Sequence, residues 1–143
     1  MTATSEARTR VSKPHFLKPL VTQDATGLLL KNERNGLVVA RQLEGAFDSV
    51  SRRRGLLGRD GLDEGAALII APCQAIHTFR MRFPIDVVFA DREGRVVHFR
   101  SHVGPRRITG ALRAFATIEM ASGAAARADI RIGDVLSITR TAR

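Results

Sequence analysis

From residue 66 to its end, the chain consists of short apolar runs separated by Gly, Pro and Asp turns. The run 66–70, which Pro72 ends, is continuously apolar, and further strand-like segments lie at 86–90 and 135–140. Such short runs predict β-strands, because an amphipathic helix needs a longer pattern with a period of about 3.6 residues. Strands and helices do not alternate regularly, which argues against a Rossmann-like fold. We therefore expect a mainly β (α+β) fold, a small antiparallel β-barrel or sandwich of about seven strands with one or two short helices.

The clearest local prediction is a β-hairpin over residues 86–101, with its reverse turn at 91–94. A first hairpin is expected from the apolar runs 28–30 and 37–40, because turn-forming residues separate them. The apolar residues of 44–57 are spaced more like those of a helix than of a strand. This segment therefore predicts a helix.

Two more strands and a second short helix are expected beyond these elements. Residues 76–82 alternate in character, which predicts a strand with its side chains on two faces. The same argument predicts a strand over 114–121. Ser122 is a suitable N-cap for a short helix over 123–128.

The length of 143 residues suits one compact domain. We expect the polar, basic residues 1–26 to form a disordered or loosely docked extension, and residues 27–143 to form a single β-rich domain. No apolar run is long enough for a membrane helix, and the start lacks the apolar stretch of a secretory signal. The sequence thus predicts a soluble, cytoplasmic protein without a membrane partner. A single cysteine excludes an internal disulfide and any Cys-pair zinc motif.

The formal net charge of +9 has two interpretations. Positive charge favours binding to nucleic acid or another anionic surface. However, nearly all the basic residues are arginines and they are spread along the chain, as expected from a base composition that favours Arg codons. The densest cluster, 52–54, also suits the solvated side of a helix, and no aromatic residues are interleaved with it. A role in nucleic-acid binding is therefore a hypothesis, but not the favoured one.

Five sequence blocks, taken together and in order, carry a family resemblance. The blocks are 52–59, 67–70, 73–89, 118–123 and 132–135. They resemble the domain-of-unknown-function family 192, and the similarity covers nearly everything from Leu37 to the end. The resemblance implies a small, largely β domain, often bacterial or archaeal, and does not imply an established activity. Where many members have a Trp-Met-Lys-Asn-Thr type motif, this chain has Phe-Arg-Met-Arg-Phe at 79–83, so no role that rests on that Lys or Asn transfers.

Reactive side chains are concentrated in the block 73–89. Cys73, His77, Asp86 and Glu119 are residue types that can ligate zinc or iron. On a strand, however, Cys73 and His77 would lie about 13 Å apart, because each residue advances the chain by about 3.3 Å. Cys–His nucleophilic catalysis is an alternative, but no orienting third residue or oxyanion hole is visible. We therefore predict no metal and no cofactor, and whether the protein is an enzyme stays open.

Several arginines in the most family-like blocks suggest a cleft for an anion. Guanidinium groups bind carboxylates and phosphates in bidentate fashion, and Gly55 and Gly58 would let backbone amides approach a ligand. The alternative is internal pairing, with Arg54 or Arg80 bonded to Asp86 or Glu119. The sequence does not separate these two interpretations.

The preferred hypothesis is a monomeric or weakly dimeric binding module with a cleft for a small anionic ligand. Its rivals are an enzyme that uses Cys73 or His77, and a nucleic-acid-associated basic protein. The candidate ligand-binding residues are Arg54, Arg59, Cys73, His77, Arg80, Asp86 and Glu119.

Overall fold

Ten strands and three short helices make up residues 15–141, the part of the chain that the computed structural model describes. In chain order they are α1 (Lys18–Thr22), β1 (Leu28–Asn32), β2 (Val38–Ala40), β3 (Gln42–Ala46), α2 (Ser49–Arg54), β4 (Ala66–Ile70), β5 (Ala75–His77), β6 (Ile85–Ala90), β7 (Val96–Val103), β8 (Ile108–Gly110), β9 (Ala116–Ala121), α3 (Ala124–Arg127) and β10 (Leu136–Arg140). The predicted α+β class is confirmed.

A five-stranded sheet in the order β3-β4-β9-β6-β7 forms the centre of the domain. Its inner strands β6 and β9 are buried along their whole length, including the polar side chains of Asp86, Thr117 and Glu119. A three-stranded sheet, β10-β1-β2, and a two-stranded ribbon, β5-β8, complete the fold. The sheets do not close into a barrel, so the architecture is sandwich-like.

The two faces of the central sheet bury separate apolar clusters. One face packs against the three-stranded sheet, α1 and α3, and includes Leu30, Ile69 and Ile118. The other face packs against the loop after α2 and the region of the β5-β8 ribbon, and includes Leu56 and Phe89. Successive residues of a strand point to opposite faces, so β4 and β6 supply side chains to both clusters. β9 supplies apolar side chains only to the first cluster, because its residues on the other face include Thr117 and Glu119.

The expected hairpins and the last two long strands are present. β1 pairs with β2 and β6 pairs with β7, both antiparallel, and β9 and β10 lie where strands were predicted. The described part of the chain contains ten strands, whereas the sequence predicted about seven. The strands that the sequence did not predict are β3 and β8, and β8 has only three residues, which is too short for a reliable alternation.

The predicted helix over 44–57 is wrong in its first part. Residues Gln42–Ala46 form β3, which pairs in parallel with β4, and the helix begins only at Ser49. Asp48 caps it by accepting a hydrogen bond from the Ser51 N–H. β3 buries Leu43 and Ala46, whose three-residue spacing imitates the period of a helix.

The predicted strand over 76–82 is also largely wrong. Only Ala75–His77 is strand, and Thr78 to Met81 form a turn in which the Met81 N–H donates to the Thr78 carbonyl. Arg80 has a φ of +66° at this turn, in the left-handed region. The alternation of side-chain character continues to residue 82, but the pairing of β5 with β8 ends at His77. The predicted strand was therefore too long.

Part of the predicted N-terminal extension is docked on the domain. Leu17 and Leu20 belong to the first apolar cluster, and the Phe16 N–H donates to the Arg92 carbonyl. The prediction for 1–14 lies outside the described residues. Within residues 15–141, no helix has the length and apolar character needed to cross a membrane.

Candidate functional site

Asp86 and Glu119 lie on neighbouring strands but point to opposite faces of the central sheet. Asp86 is level with Met120, and Glu119 is level with Val87. Because side chains alternate along each strand, the two carboxyls are separated by the thickness of the sheet. They therefore do not form one ligand shell.

Asp86 is fully buried and its carboxylate accepts three backbone hydrogen bonds. Oδ1 accepts from the N–H of His102 at 2.9 Å, and Oδ2 accepts from those of Gly123 and Ala125 at 3.0 and 2.9 Å. Thus Asp86, and not Ser122 as predicted, satisfies the N–H groups at the start of α3, whose N-cap residue is Gly123. Its observed contacts are those of a structural residue.

Cys73 and His77 make unrelated contacts. The Cys73 thiol donates to the Ala75 carbonyl at 3.2 Å, whereas the exposed His77 ring packs near Phe79, with 5.6 Å between ring centroids. Across residues 15–141, no three His, Cys, Asp or Glu side chains are grouped as a metal site requires. The geometry therefore does not join Cys73, His77, Asp86 and Glu119 into one centre.

Internal ion pairing explains two of the family-block arginines, but with carboxylates other than those predicted. Arg59 binds both oxygens of Glu44 at 2.9 Å, and Arg82 binds Asp60 at 2.6 Å. Arg54 and Arg80 are exposed and form no ion pair with the carboxylates of the described chain.

Glu119 lies close enough to Arg59 for the positive charge of Arg59 to act on its carboxyl. Glu119 lies on β9 beneath the loop after α2, and a side chain at Gly55 would place its Cβ 3.9 Å from Glu119 Oε2. Glu119 is 5% exposed, and its buried Oε2 has no hydrogen-bond partner among the described residues. Burial raises the pKa of Glu119 to about 7, although the positive charge of Arg59 acts to lower it.

Cys73 lines a cleft of about 470 Å³ at one end of the central sheet. Three loops build it: the segment after β4, the hairpin turn between β6 and β7, and the segment before β9. The lining residues are Pro72, Cys73, Gln74, Arg92, Leu112, Arg113, Ala114 and Phe115. The register of β6 and β9, which pairs Ala90 with Ala116, is what brings the last two loops together.

Two arginines give this cleft, which we call the Cys73 cleft, its chemistry. The guanidinium carbon of Arg92 lies 4.6 Å from the centroid of the Phe115 ring, a cation–π contact that orients the group. Neither Arg92 nor Arg113 is ion-paired within residues 15–141. Arrangements of this kind bind carboxylate or phosphate groups.

The sequence prediction missed Arg92, Arg113 and Phe115. Residues 91–94 have the composition of a reverse turn, so Arg92 was interpreted only as part of that turn and not as a candidate binding residue. The available signal was strand order: if β6 and β9 are neighbours, the residues just after 90 must meet those just before 116. A single sequence does not supply that pairing.

Comparisons with known proteins agree on family and fold. The model of the DUF192 family, described as "Uncharacterized ACR", matches residues 30–138. A crystal structure of a protein of unknown function from Novosphingobium aromaticivorans is similar, with 23% identity, a TM-score of 0.67, and coverage of 77% of this chain and 82% of that one. A Sinorhizobium meliloti protein described as a "putative transcription regulator" has 18% identity, a TM-score of 0.68, and coverage of 77% and 90%. No curated protein matches the chain.

Proposed function

The chain belongs to the DUF192 family, whose description as uncharacterised brings no activity with it, and we propose from its geometry that it is a binding module for a small anion. The observation that carries this proposal is the pair of arginines, Arg92 and Arg113, in the Cys73 cleft without carboxylate partners among residues 15–141. An anion with two or more acidic oxygens fits such a pair best, because each guanidinium presents parallel N–H donors.

The surroundings of the two guanidinium groups support the proposal. The cleft volume of about 470 Å³ falls within the range of small-molecule sites, about 300 to 1,000 Å³. Stacking on Phe115 holds Arg92 in place before a ligand arrives, which lowers the entropy lost on binding. The site combines this charge with an apolar wall formed by Leu112, Ala114 and Phe115.

Titration calorimetry with pyrophosphate and with citrate tests the proposal. We expect at least one of these anions to bind. Arg92→Gln combined with Arg113→Gln should weaken binding by about tenfold or more, because each hydrogen bond to a charged group contributes to the binding free energy. The matched control is Arg41→Gln with Arg53→Gln, which removes the same charge at exposed positions outside the cleft. The control should change affinity by less than about threefold.

The single cysteine gives a second, local measurement. Cys73 lines the cleft, so a bound anion should slow its reaction with a neutral thiol reagent. Absence of binding by both anions would overturn the proposal. Equal weakening in the control variant would also overturn it, since binding would then reflect net charge and not the cleft.

A further inference from the structure

A basic and aromatic surface covers the β5-β8 ribbon and the two turns next to it. We call it the ribbon surface, and its residues are His77, Phe79, Arg80, Arg106, Arg107 and Ile108. We propose that the ribbon surface binds single-stranded nucleic acid. This surface is separate from the Cys73 cleft and shares none of its lining residues.

Thr78 clamps the two turns side by side. Its hydroxyl donates to the Gly104 carbonyl at 2.6 Å and accepts from the Arg107 N–H at 2.9 Å. The backbone adds bonds from the Thr78 N–H to the Arg107 carbonyl and from the Arg106 N–H to the Thr78 carbonyl. These bonds hold the two turns together, and residues of both turns line one groove.

Arginines and a groove lie at the point where the turns meet. Arg80 and Arg106 have φ values of +66° and +62°, a left-handed conformation that is uncommon for residues other than glycine. Together with Phe79, Met81 and Pro105, they line a groove of about 860 Å³. Phe79 thus lines the same groove as these two arginines.

The local charge is strongly positive. The segment between Glu93 and Glu119 contains five arginines and no Asp or Glu. The three arginines of the ribbon surface form no ion pair in the described chain, whereas Arg82, nearby in sequence, is already bonded to Asp60. Unpaired arginines along a groove favour a phosphate backbone as the partner.

Exposed apolar side chains favour single strands over a duplex. Phe79 is 45% exposed and Ile108 is 73% exposed, and the Phe79 ring packs beside His77. Unpaired bases stack on exposed aromatic rings, whereas paired bases keep their faces inside the duplex. Arginines around an accessible ring are the combination that sequence-independent single-strand binding uses.

Fluorescence anisotropy of a labelled oligothymidylate of about 20 nucleotides tests the inference with the full chain. With three phosphate contacts, the logarithm of the affinity should fall with the logarithm of salt concentration with a slope of about −2. Arg80→Gln, Arg106→Gln and Arg107→Gln in one chain should remove most of this slope and weaken binding by about tenfold or more near 50 mM salt.

Phe79→Ala separates stacking from charge. It should weaken binding by about tenfold and leave the salt slope unchanged, because it removes a base platform but no phosphate contact. It also replaces an exposed side chain, so it keeps the test valid if the triple variant fails to fold. The matched control is Arg41→Gln, Arg53→Gln and Arg127→Gln, which should stay within about threefold of the wild type.

Three results would overturn the inference. One is no binding of the oligonucleotide near 50 mM salt, and another is equal weakening in the matched control. The third is tighter binding to duplex DNA, or to vesicles of phosphatidylcholine with phosphatidylserine, than to the single strand. Failure of anion binding at the Cys73 cleft would leave the inference intact, because the two tests use different variants and different ligands.

Discussion

Glu119 is an ionisable residue in the interior of the domain, where water cannot solvate a negative charge. Burial raises its pKa to about 7 from an ordinary value of 4.5. Between these values the folded protein holds a proton that the unfolded chain releases. Glu119 therefore stabilises the fold most below pH 4.5, and this contribution is lost as the pH rises to about 7. The total loss is about 3 kcal/mol in the free energy of unfolding.

Glu119→Gln should remove this pH dependence, because an amide stays neutral throughout. We expect the variant to be more stable than the wild type near pH 8 and to differ little near pH 5, as measured by urea unfolding. Glu64→Gln, which removes an exposed carboxyl, is the control. A stability difference between wild type and Glu119→Gln that does not grow between about pH 5 and pH 8 would contradict a neutral, buried Glu119.

Elements of this fold are joined by side chains as well as by sheet hydrogen bonds, and Asp86 is the clearest case. It lies on β6, and its carboxylate bonds to β7 and to the start of α3. Asp86→Ala leaves three N–H groups without that acceptor, which should cost about 3 kcal/mol or more in a urea unfolding experiment. Asp86→Asn should cost less, because its amide oxygen can still accept from part of this set.

The exposed Asp60 provides the comparison for Asp86. Its ion pair with Arg82 is at the surface, where such pairs contribute less than about 1 kcal/mol. Asp60→Ala should therefore change stability only slightly. Equal losses from the two substitutions would show that the Asp86 carboxylate does not hold α3.

The same elements show what could be predicted from sequence. The hairpin of β6 and β7 was predictable because a turn signal separates two apolar runs of ordinary strand length. β3 was not, because an edge strand that buries only Leu43 and Ala46 has the spacing of a helix. Asp86 could be recognised as a polar residue in a strand, but its backbone partners lie 16, 37 and 39 residues away. Its structural role depends on tertiary pairing.

At the scale of the molecule, the charge was predictable and its placement was not. The net charge of +9 follows from composition, and arginines in the family-like blocks were reasonable candidates for an anion site. Arg59 and Arg82 are instead bonded to carboxylates that sequence reasoning did not select. Arg92 and Arg113, which form no ion pair with residues 15–141, line one cleft because β6 lies beside β9. A cleft that is formed by three loops can be predicted only when the order of the strands is known.

The segment before β1 connects the sheets and should stabilise the whole domain. Leu17 is fully buried in the cluster between the central and three-stranded sheets. Leu17→Ala should therefore lower the free energy of unfolding by about 3 kcal/mol, through lost burial and a cavity. One cooperative transition should remain, shifted to lower urea concentration and equal by circular dichroism and by phenylalanine near-ultraviolet absorbance. Val21→Ala, at a position 51% exposed, should have little effect. A segment that is docked as part of one domain loses its structure together with the rest. A separate early transition in the Leu17 variant would contradict this prediction, because it would show that the segment unfolds before the sheets.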